Sequence, residues 1–191
     1  MAIRRAATTA EIVAAAWELA ARDGLNGFSL RDVAKAVGMQ PPSLYSYVTS
    51  KHDLFDVMFR DGLDDLLAAL RAEPVTDDPR TNVLVGHRLF LDWCTSQPAK
   101  YTLLFLRTVP GFEPSEAGMA KAFELFDFMC AHLATVGVTD PVHLDLWTAL
   151  TNGLAAQQIA NEPDSDRWTR LLDDVLTMFL AHVAQDRRSP R

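Results

Sequence analysis

The sequence has few of the features by which secreted, membrane-bound and metal-binding proteins are recognised. Its 191 residues include only two cysteines, Cys94 and Cys130, which lie in apolar helical patterns and not at metal-ligand spacing. We interpret both as reduced core thiols, with a redox switch as the alternative. No apolar run reaches the roughly 18 to 20 residues of a membrane span, and the first residues lack the apolar core of a signal peptide. We therefore expect a cytoplasmic protein with no membrane partner.

Catalytic signatures are also missing. The sequence has no glycine-rich phosphate loop, no nucleophile elbow and no His-Glu-x-x-His pair. Its histidines are scattered, and each is better explained as a surface or hydrogen-bonded helix residue than as a metal ligand. They are His52, His87, His132, His143 and His182. We expect no catalytic activity, no cofactor and no metal site.

Negative charge is concentrated in one part of the chain. The net charge is -7, whereas proteins that bind nucleic acids usually carry a basic footprint. Residues 1–60 hold seven Lys or Arg and six Asp or Glu, and the remaining residues hold eleven and nineteen. The first part is therefore near neutral, and the acidic second part would be held away from the phosphates of any nucleic acid.

Helical periodicity runs through the whole chain, and neither an alternating strand pattern of useful length nor an internal repeat is present. Residues 1–7 predict a short arm whose Arg4 and Arg5 reach a phosphate or a minor groove, with a frayed terminus as the alternative. A first helix is predicted from Thr8 or Thr9 to Gly24. The pattern indicates an all-α fold.

The segment from Ser29 to Lys51 predicts two short helices around a tight corner. Ser29 and Asp32 stand at the spacing of a capping box, and Gly38 is the residue type that ends a helix in the left-handed conformation. Pro41 suits the first position of the second helix, because the N–H that proline lacks would have no partner there.

The second helix of this corner carries polar and aromatic side chains where a core helix would carry more Leu and Val. Leu44 and Val48 are four residues apart and are predicted to face inward. The residues nearer the outer face are Gln40, Ser43, Ser46 and Tyr47, with Tyr45 on the flank. Hydroxyls, an amide and aromatic rings on a short exposed helix suit base edges and phosphate oxygens in a groove.

Lys51 follows in the first turn of the next helix, which Ser50 and Asp53 are predicted to cap. A cation at a helix N-terminus opposes the helix dipole by about a few tenths of a kcal/mol. A phosphate in front of Lys51 would explain its position. A solvated lysine is the alternative.

Residues 33–58 read VAKAVGMQPPSLYSYVTSKHDLFDVM and resemble the DNA-binding signature of the tetracycline-repressor (TetR) family of bacterial regulators. The positions that match in register are Val33, Ala34, Val37, Gly38, Ser43, Leu44, Tyr45, Tyr47, Lys51 and Leu54. A helix of the right length precedes them, and the resemblance covers about the first 60 residues.

The resemblance implies roles for residues of the corner. Arg31 occupies a place from which family members reach a base edge, and Tyr45 and Lys51 match positions that contact phosphates. The recognition helix is implied to meet the major groove through Gln40, Pro41, Pro42 and Ser43, with Ser46 and Tyr47 flanking the groove.

One position departs from the family pattern. Ser46 is small where relatives often carry an aromatic or other large residue. Direct base reading is therefore expected to rest more on Arg31, Gln40 and Tyr47.

Two domains are implied by the same resemblance. Residues 1–52 would form a three-helix helix-turn-helix DNA-binding domain, and residues 53–191 a larger helical domain for ligand binding and dimerisation, with about nine helices in total. Periodicity places the later helices at 53–73, 81–97, 99–106, 114–136 and 140–161. A final helix is predicted to start at Ser165 or Asp166.

The last two helices predict an association surface, because they are more apolar than one small domain needs to cover. Gly153 beside Ala155 and Ala156 permits another helix to approach closely. Residues 146–168 are also similar to a C-terminal motif of one branch of the family, whose members pair these helices with their copies. Internal packing is the alternative. The predicted interface residues are Leu150, Leu154, Trp168, Leu172, Val175 and Phe179.

In relatives the helical body holds an apolar pocket, and its ligand moves the helix that leads to the DNA-binding domain. The residues predicted to line it are Leu66, Phe90, Trp93, Phe105, Phe126, Cys130, Trp147 and Thr151. Ordinary core packing is the alternative for each of them.

Together these features predict a ligand-responsive regulator of transcription, expected to be a repressor. It would bind a palindromic DNA operator as a homodimer, because one short helix reads too few base pairs to select a site. A small, largely apolar effector of unknown identity would release it. A helical ligand-binding or scaffold dimer that has lost specific DNA binding is the alternative.

Overall fold

A computed structural model describes residues 2–188 of the chain, with the side chains of residues 2–7 left out of the description. This part contains nine α-helices, one short 3-10 helix and no strand, so the predicted all-α fold is confirmed. The helices are α1 (Ala2–Asp23), α2 (Leu30–Ala36), α3 (Pro41–Leu44), α4 (Lys51–Ala72), α5 (Pro79–Ser96), α6 (Pro98–Phe105), α7 (Glu116–Thr135), α8 (Pro141–Asn161), the 3-10 helix (Thr169–Leu171) and α9 (Leu172–Asp186). Across the described helices, none is both long and apolar enough to span a bilayer.

Two helix starts differ from the prediction. The arm predicted over residues 1–7 is wrong, because α1 already begins at Ala2. Arg4 and Arg5 lie outside the described side chains, so their predicted DNA contacts stay a prediction. The last helix begins at Leu172 and not at Ser165 or Asp166.

The side chain of Gln158 explains the late start of α9. This residue is only 1% exposed, and its amide nitrogen donates to the backbone oxygens of Glu162 and Ser165. Its side-chain oxygen accepts from the backbone N–H groups of Trp168 at 2.8 Å and Thr169 at 3.3 Å. Because the amide satisfies backbone groups that a helix would otherwise pair, the chain between α8 and the 3-10 helix stays irregular.

The chain divides into two compact units. The first contains Met1–Asp65 and Gln97–Phe123, and the second contains Leu66–Ser96 and Glu124–Arg191. Two of the three boundaries fall inside α4 and α7, and the third lies between α5 and α6. The division predicted after residue 52 concerns function and stays a prediction.

In the first unit, α1 packs against α2 and α6, and α2 packs against α3. Its core takes apolar side chains from all of these helices and from α4. Members that are at most 1% exposed include Ile12, Val33, Leu44, Leu54 and Tyr101. The short α3 thus keeps its place through Leu44, since four residues form too few hydrogen bonds to be stable alone.

In the second unit, α5, α8 and α9 pack against one another around Trp147. The indole N–H of Trp147 donates to Nε2 of His87 at 2.6 Å, and Nδ1 of His87 lies 2.8 Å from the backbone oxygen of Val83. His87 is therefore a neutral tautomer that carries its proton on Nδ1. Burial lowers its pKa to about 4. The ring of Phe179 covers Trp147, with their centroids 4.9 Å apart.

Candidate nucleic-acid interface

The helix before the corner, α2, begins at a complete capping box. The backbone N–H of Asp32 donates to the Ser29 hydroxyl oxygen at 3.3 Å, and the Asp32 carboxylate accepts from the Ser29 backbone N–H at 2.8 Å. The Ser29 hydroxyl also donates to this carboxylate at 2.6 Å. These hydrogen bonds lower the pKa of Asp32. The predicted capping box is confirmed.

The other end of α2 is closed by two backbone hydrogen bonds around a left-handed glycine. Gly38 has a φ of 67°, and its N–H donates to the oxygen of Lys35 at 3.2 Å. The N–H of Met39 donates to the oxygen of Ala34 at 2.8 Å. This pair of bonds is a Schellman motif, which turns the chain sharply out of the helix. Glycine is suited to the position because a side chain would strain the positive φ.

The helix α3, which is predicted to be the recognition helix, begins after Gln40, with Pro41 in its first turn. Gln40 makes no side-chain capping hydrogen bond, and the hydroxyl of Ser46 donates to the backbone oxygen of Ser43 at 2.7 Å. Leu44 and Val48 are 0% and 1% exposed, so their predicted inward direction is confirmed. Leu44 in α3 and Val48, four residues beyond the end of the helix, anchor this segment, and most of the side chains around them lie on the surface.

Most residues predicted to meet DNA are exposed. The exposed ones are Arg31, Gln40, Pro42, Ser43, Tyr45 and Ser46, and the half-buried ones are Pro41, Tyr47 and Lys51. Tyr45 is 51% exposed, so its ring and hydroxyl are available to a partner. The surface of α3 thus offers the amide, hydroxyl and ring groups that nucleic-acid contacts use.

The ammonium group of Lys51 is partly occupied inside the first unit. It donates to the backbone oxygen of Phe28 at 2.6 Å and lies 4.6 Å from the centre of the Phe28 ring and 5.3 Å from that of Phe55. Burial lowers its pKa from the usual value. Lys51 therefore ties α4 to the loop before α2. A phosphate contact from its remaining N–H donors stays a prediction.

Replacing Lys51 with Met tests this internal contact. We expect the free energy of unfolding to fall by about 2 kcal/mol, because the charged hydrogen bond and the ring contacts are lost while the aliphatic stem is kept. Urea denaturation measures the change, and Lys35→Met, at an exposed position of α2, is the matched control. Equal stability of the two variants would contradict the internal role.

Sequence reasoning missed the aromatic cluster beside Lys51. Phe112 belongs to the loop between α6 and α7, and its ring centroid lies 5.8 Å from that of Phe55 and 6.3 Å from that of Phe59. Phe28 meets Phe55 edge-on at 6.2 Å. The signal in the sequence was an apolar ring inside a segment rich in proline and glycine, which is more often buried than exposed.

The predicted dimer interface is only partly available on the surface. Leu172 and Phe179 are 0% and 3% exposed within the single chain, and Leu154 is 8% exposed. These three pack in the core of the second unit within the single chain, and their contact with a partner stays a prediction. Leu150, Trp168 and Val175 are half-buried and stay predictions.

The predicted pocket residues differ in their exposure. Trp147 and Thr151 are buried, Phe126 is 46% exposed, and Phe105 lines a groove of the first unit. The remaining members, Leu66, Phe90, Trp93 and Cys130, are buried or half-buried. Their role in binding a ligand stays a prediction. Within residues 2–188, no group of three or more His, Cys, Asp or Glu is placed to hold a metal ion.

Comparison with known proteins places the corner in a family. The family model described as "Bacterial regulatory proteins, tetR family" matches residues 12–58, which run from the second half of α1 through α2 and α3 to the start of α4. The HTH-type transcriptional regulator Rv1816 of Mycobacterium tuberculosis is 32% identical over 129 residues, which cover 62% of this chain and 55% of that protein. The chain thus spans about half the length of the curated relatives it matches.

Solved structures with the same fold cover nearly the whole chain. A transcriptional regulator from Rhodococcus sp. Rha1 superposes with a TM-score of 0.74 at 22% identity over 93% of this chain and 96% of that one. The regulatory protein SCO4313 gives 0.73 at 24% identity over 95% and 98%. The matched family and its curated relatives are regulatory proteins and not enzymes. Residues 12–58 of the chain thus match the tetR family of bacterial regulatory proteins, and the fold of the described chain is similar to that of solved regulators.

Proposed function

We propose that the chain is a transcription regulator, acting as a repressor, that binds a palindromic DNA operator as a homodimer and is released by a small, largely apolar effector. The observation that carries the proposal is the construction of α3. Its apolar residue Leu44 and the following Val48 are buried, while the exposed residues around them are polar or aromatic. A helix that is held by buried apolar residues on one face and exposes polar residues on the other is suited to binding in a DNA groove.

The residues of the proposed DNA-binding surface have different roles. Gln40 and Arg31 are exposed and have the hydrogen-bonding groups that read base edges in the major groove. Tyr45 and Lys51 are assigned to phosphates, which fix orientation without reading sequence. The net charge of the whole chain does not oppose this arrangement, because the acidic excess lies beyond residue 60.

Homodimerisation is supported by an exposed stripe on α8. Val142 is 72% exposed and Leu146 is 38% exposed, and Ala149, Gly153 and Ala160 continue the stripe at helical spacing. A Cβ built on Gly153 would meet no atom within 4 Å, so a second helix has room to approach. On α9, Met178 is 71% exposed. Exposed apolar residues in a row are typical of a protein interface.

Selection of bound duplexes from a random DNA pool tests the function. We expect enrichment of a two-fold symmetric sequence whose half-site centres lie about 34–36 Å apart, which is one helical turn of DNA. Affinity for the enriched sequence should fall steeply with salt, since phosphate contacts release counterions. Gln40→Ala and Arg31→Ala are expected to change which bases are enriched, and Arg170→Ala, at an exposed position of the second unit, is the matched control.

The outcomes separate the alternatives. A uniform loss of affinity in Gln40→Ala or Arg31→Ala, with unchanged base preference, would reassign that residue to the DNA backbone. Recovery of no sequence above background would favour the alternative, a helical ligand-binding or scaffold dimer without specific DNA binding.

A further inference from the structure

A groove in the first unit has apolar walls and one charged residue. Its floor includes Phe59 of α4 and Leu103 of α6, which are each 5% exposed, and its rim includes Leu106 and Met119, which are 38% and 36% exposed. Phe112 of the loop between α6 and α7 closes one side. Apolar side chains that stay exposed along a groove favour an apolar occupant, because covering them removes their surface from water.

Arg107 is the single charged residue among those that line this groove. It is exposed, and it forms no hydrogen bond or ion pair with any residue that the structure describes. By contrast, Arg71, which lines a groove of the second unit, is paired with the Glu124 carboxylate at 2.9 Å. A guanidinium group has a planar fork of donors that matches a carboxylate in two parallel hydrogen bonds.

We propose that this groove binds an amphipathic monocarboxylate, with its aliphatic chain against Phe59, Leu103 and Met119 and its carboxylate on Arg107. This inference rests on the proposed function, because it identifies the chemical class of the effector and where that effector binds. The guanidinium group of Arg107 favours an anionic group on the ligand, and the apolar walls of the groove favour an aliphatic chain. Each methylene that is fully buried strengthens binding by about four-fold.

The groove adjoins contacts that hold the start of α4. Its wall residue Phe112 packs on Phe55 and Phe59, and the centroid of its ring lies 6.2 Å from that of His52. Three residues further along the loop, the backbone N–H and the hydroxyl of Ser115 donate to the Asp56 carboxylate at 2.7 Å and 2.9 Å. The loop between α6 and α7 is thus fixed to the first turns of α4.

An occupant of the groove would compete with this docking of the loop. The aliphatic chain would lie between Phe59 and Phe112, whose rings now meet edge-on at 6.3 Å. Because Lys51 in the first turn of α4 binds the Phe28 oxygen in front of α2, a displaced loop would change the support of the DNA-binding corner. The ligand acts in this way only if it binds the displaced state more tightly than the docked one.

Octanoate is the probe for this site. We expect isothermal titration calorimetry of the full chain to give saturable binding of octanoate, and at least a ten-fold weaker affinity in Arg107→Gln. Binding of 1-octanol, which has the same chain without the charge, should be equal in the two proteins. Arg170→Gln, another exposed arginine of the chain, is the matched control and should bind octanoate like the wild type. In a gel shift on the selected duplex, octanoate should release the wild type but not Arg107→Gln.

The results distinguish the groove from the proposed function. If octanoate binding requires Arg107 but the chain selects no DNA sequence, the binding site in the groove is supported and the proposed regulatory function is contradicted. Specific DNA binding without saturable octanoate binding, or with equal octanoate affinity in Arg107→Gln, would overturn the groove. Octanoate that binds through Arg107 and leaves DNA affinity unchanged would overturn its role as effector.

Discussion

Replacing Leu146 with Glu is expected to convert the proposed dimer into a monomer and to lower DNA affinity by about 100-fold or more. Leu146 is 38% exposed in the middle of the apolar stripe of α8. A carboxylate at this position would have to lose its water inside the interface without a cationic partner, which costs several times the thermal energy. A monomer reads only one half-site, so the contribution of the second half-site to affinity is lost.

Sedimentation at micromolar concentration and a gel shift on the selected duplex measure the two effects. Val85→Glu is the matched control, because Val85 is 39% exposed and lies on α5, away from the stripe. We expect this control to stay dimeric and to bind DNA like the wild type. A Leu146→Glu protein that sediments as a dimer would show that the stripe on α8 is not the interface.

Lowering the pH from about 6.5 to about 4 is expected to remove about 3 kcal/mol of stability through His87 alone. His87 is 2% exposed, and burial lowers its pKa to about 4 in the folded chain. An unfolded chain would protonate His87 near pH 6.5. Between these two values the unfolded state binds more protons than the folded state, so stability falls as the pH falls.

His87→Gln isolates this effect. The glutamine amide has an oxygen that can accept from the Trp147 N–H and has no charge to gain in acid. Urea denaturation between pH 7 and pH 4 should give a flatter dependence for this variant, while His182→Gln, at an exposed position, should follow the wild type. Carboxylates such as Asp32 and Asp78, whose pKa values are lowered by hydrogen bonds from Ser29 and Thr81, contribute only at lower pH. A wild-type slope in His87→Gln would contradict a neutral buried His87.

Local signals were sufficient to predict the corner and most of the helices, although not the starts of α1 and α9. The capping box of Ser29 and Asp32 and the left-handed Gly38 depend on residues within a few positions of one another, and the structure forms both. The inward direction of Leu44 and Val48 follows from the same short-range spacing. Such features are readable because the chain needs no distant contact to produce them.

Long-range contacts account for what the sequence could not predict. The Lys51 ammonium meets the oxygen of Phe28, 23 positions earlier in the chain, and no spacing rule connects them. Periodicity also marks α8 and α9 as apolar without stating which residues face their own core. Leu172 and Phe179 pack inward, while Leu146 and Met178 stay exposed. Which distant residues meet and which apolar residues face the core both depend on packing between helices. The periodicity of one helix does not specify that packing.

The two ends of α2 have a consequence for how such a protein can evolve. Its start is fixed by Ser29 and Asp32, and its end by backbone hydrogen bonds around Gly38. None of these bonds uses an exposed side chain of α3. Substitutions at positions such as Gln40 or Ser43 would therefore leave the angle of the corner unchanged. Related chains can acquire new DNA preferences by exchanging a few surface residues while inheriting the same scaffold.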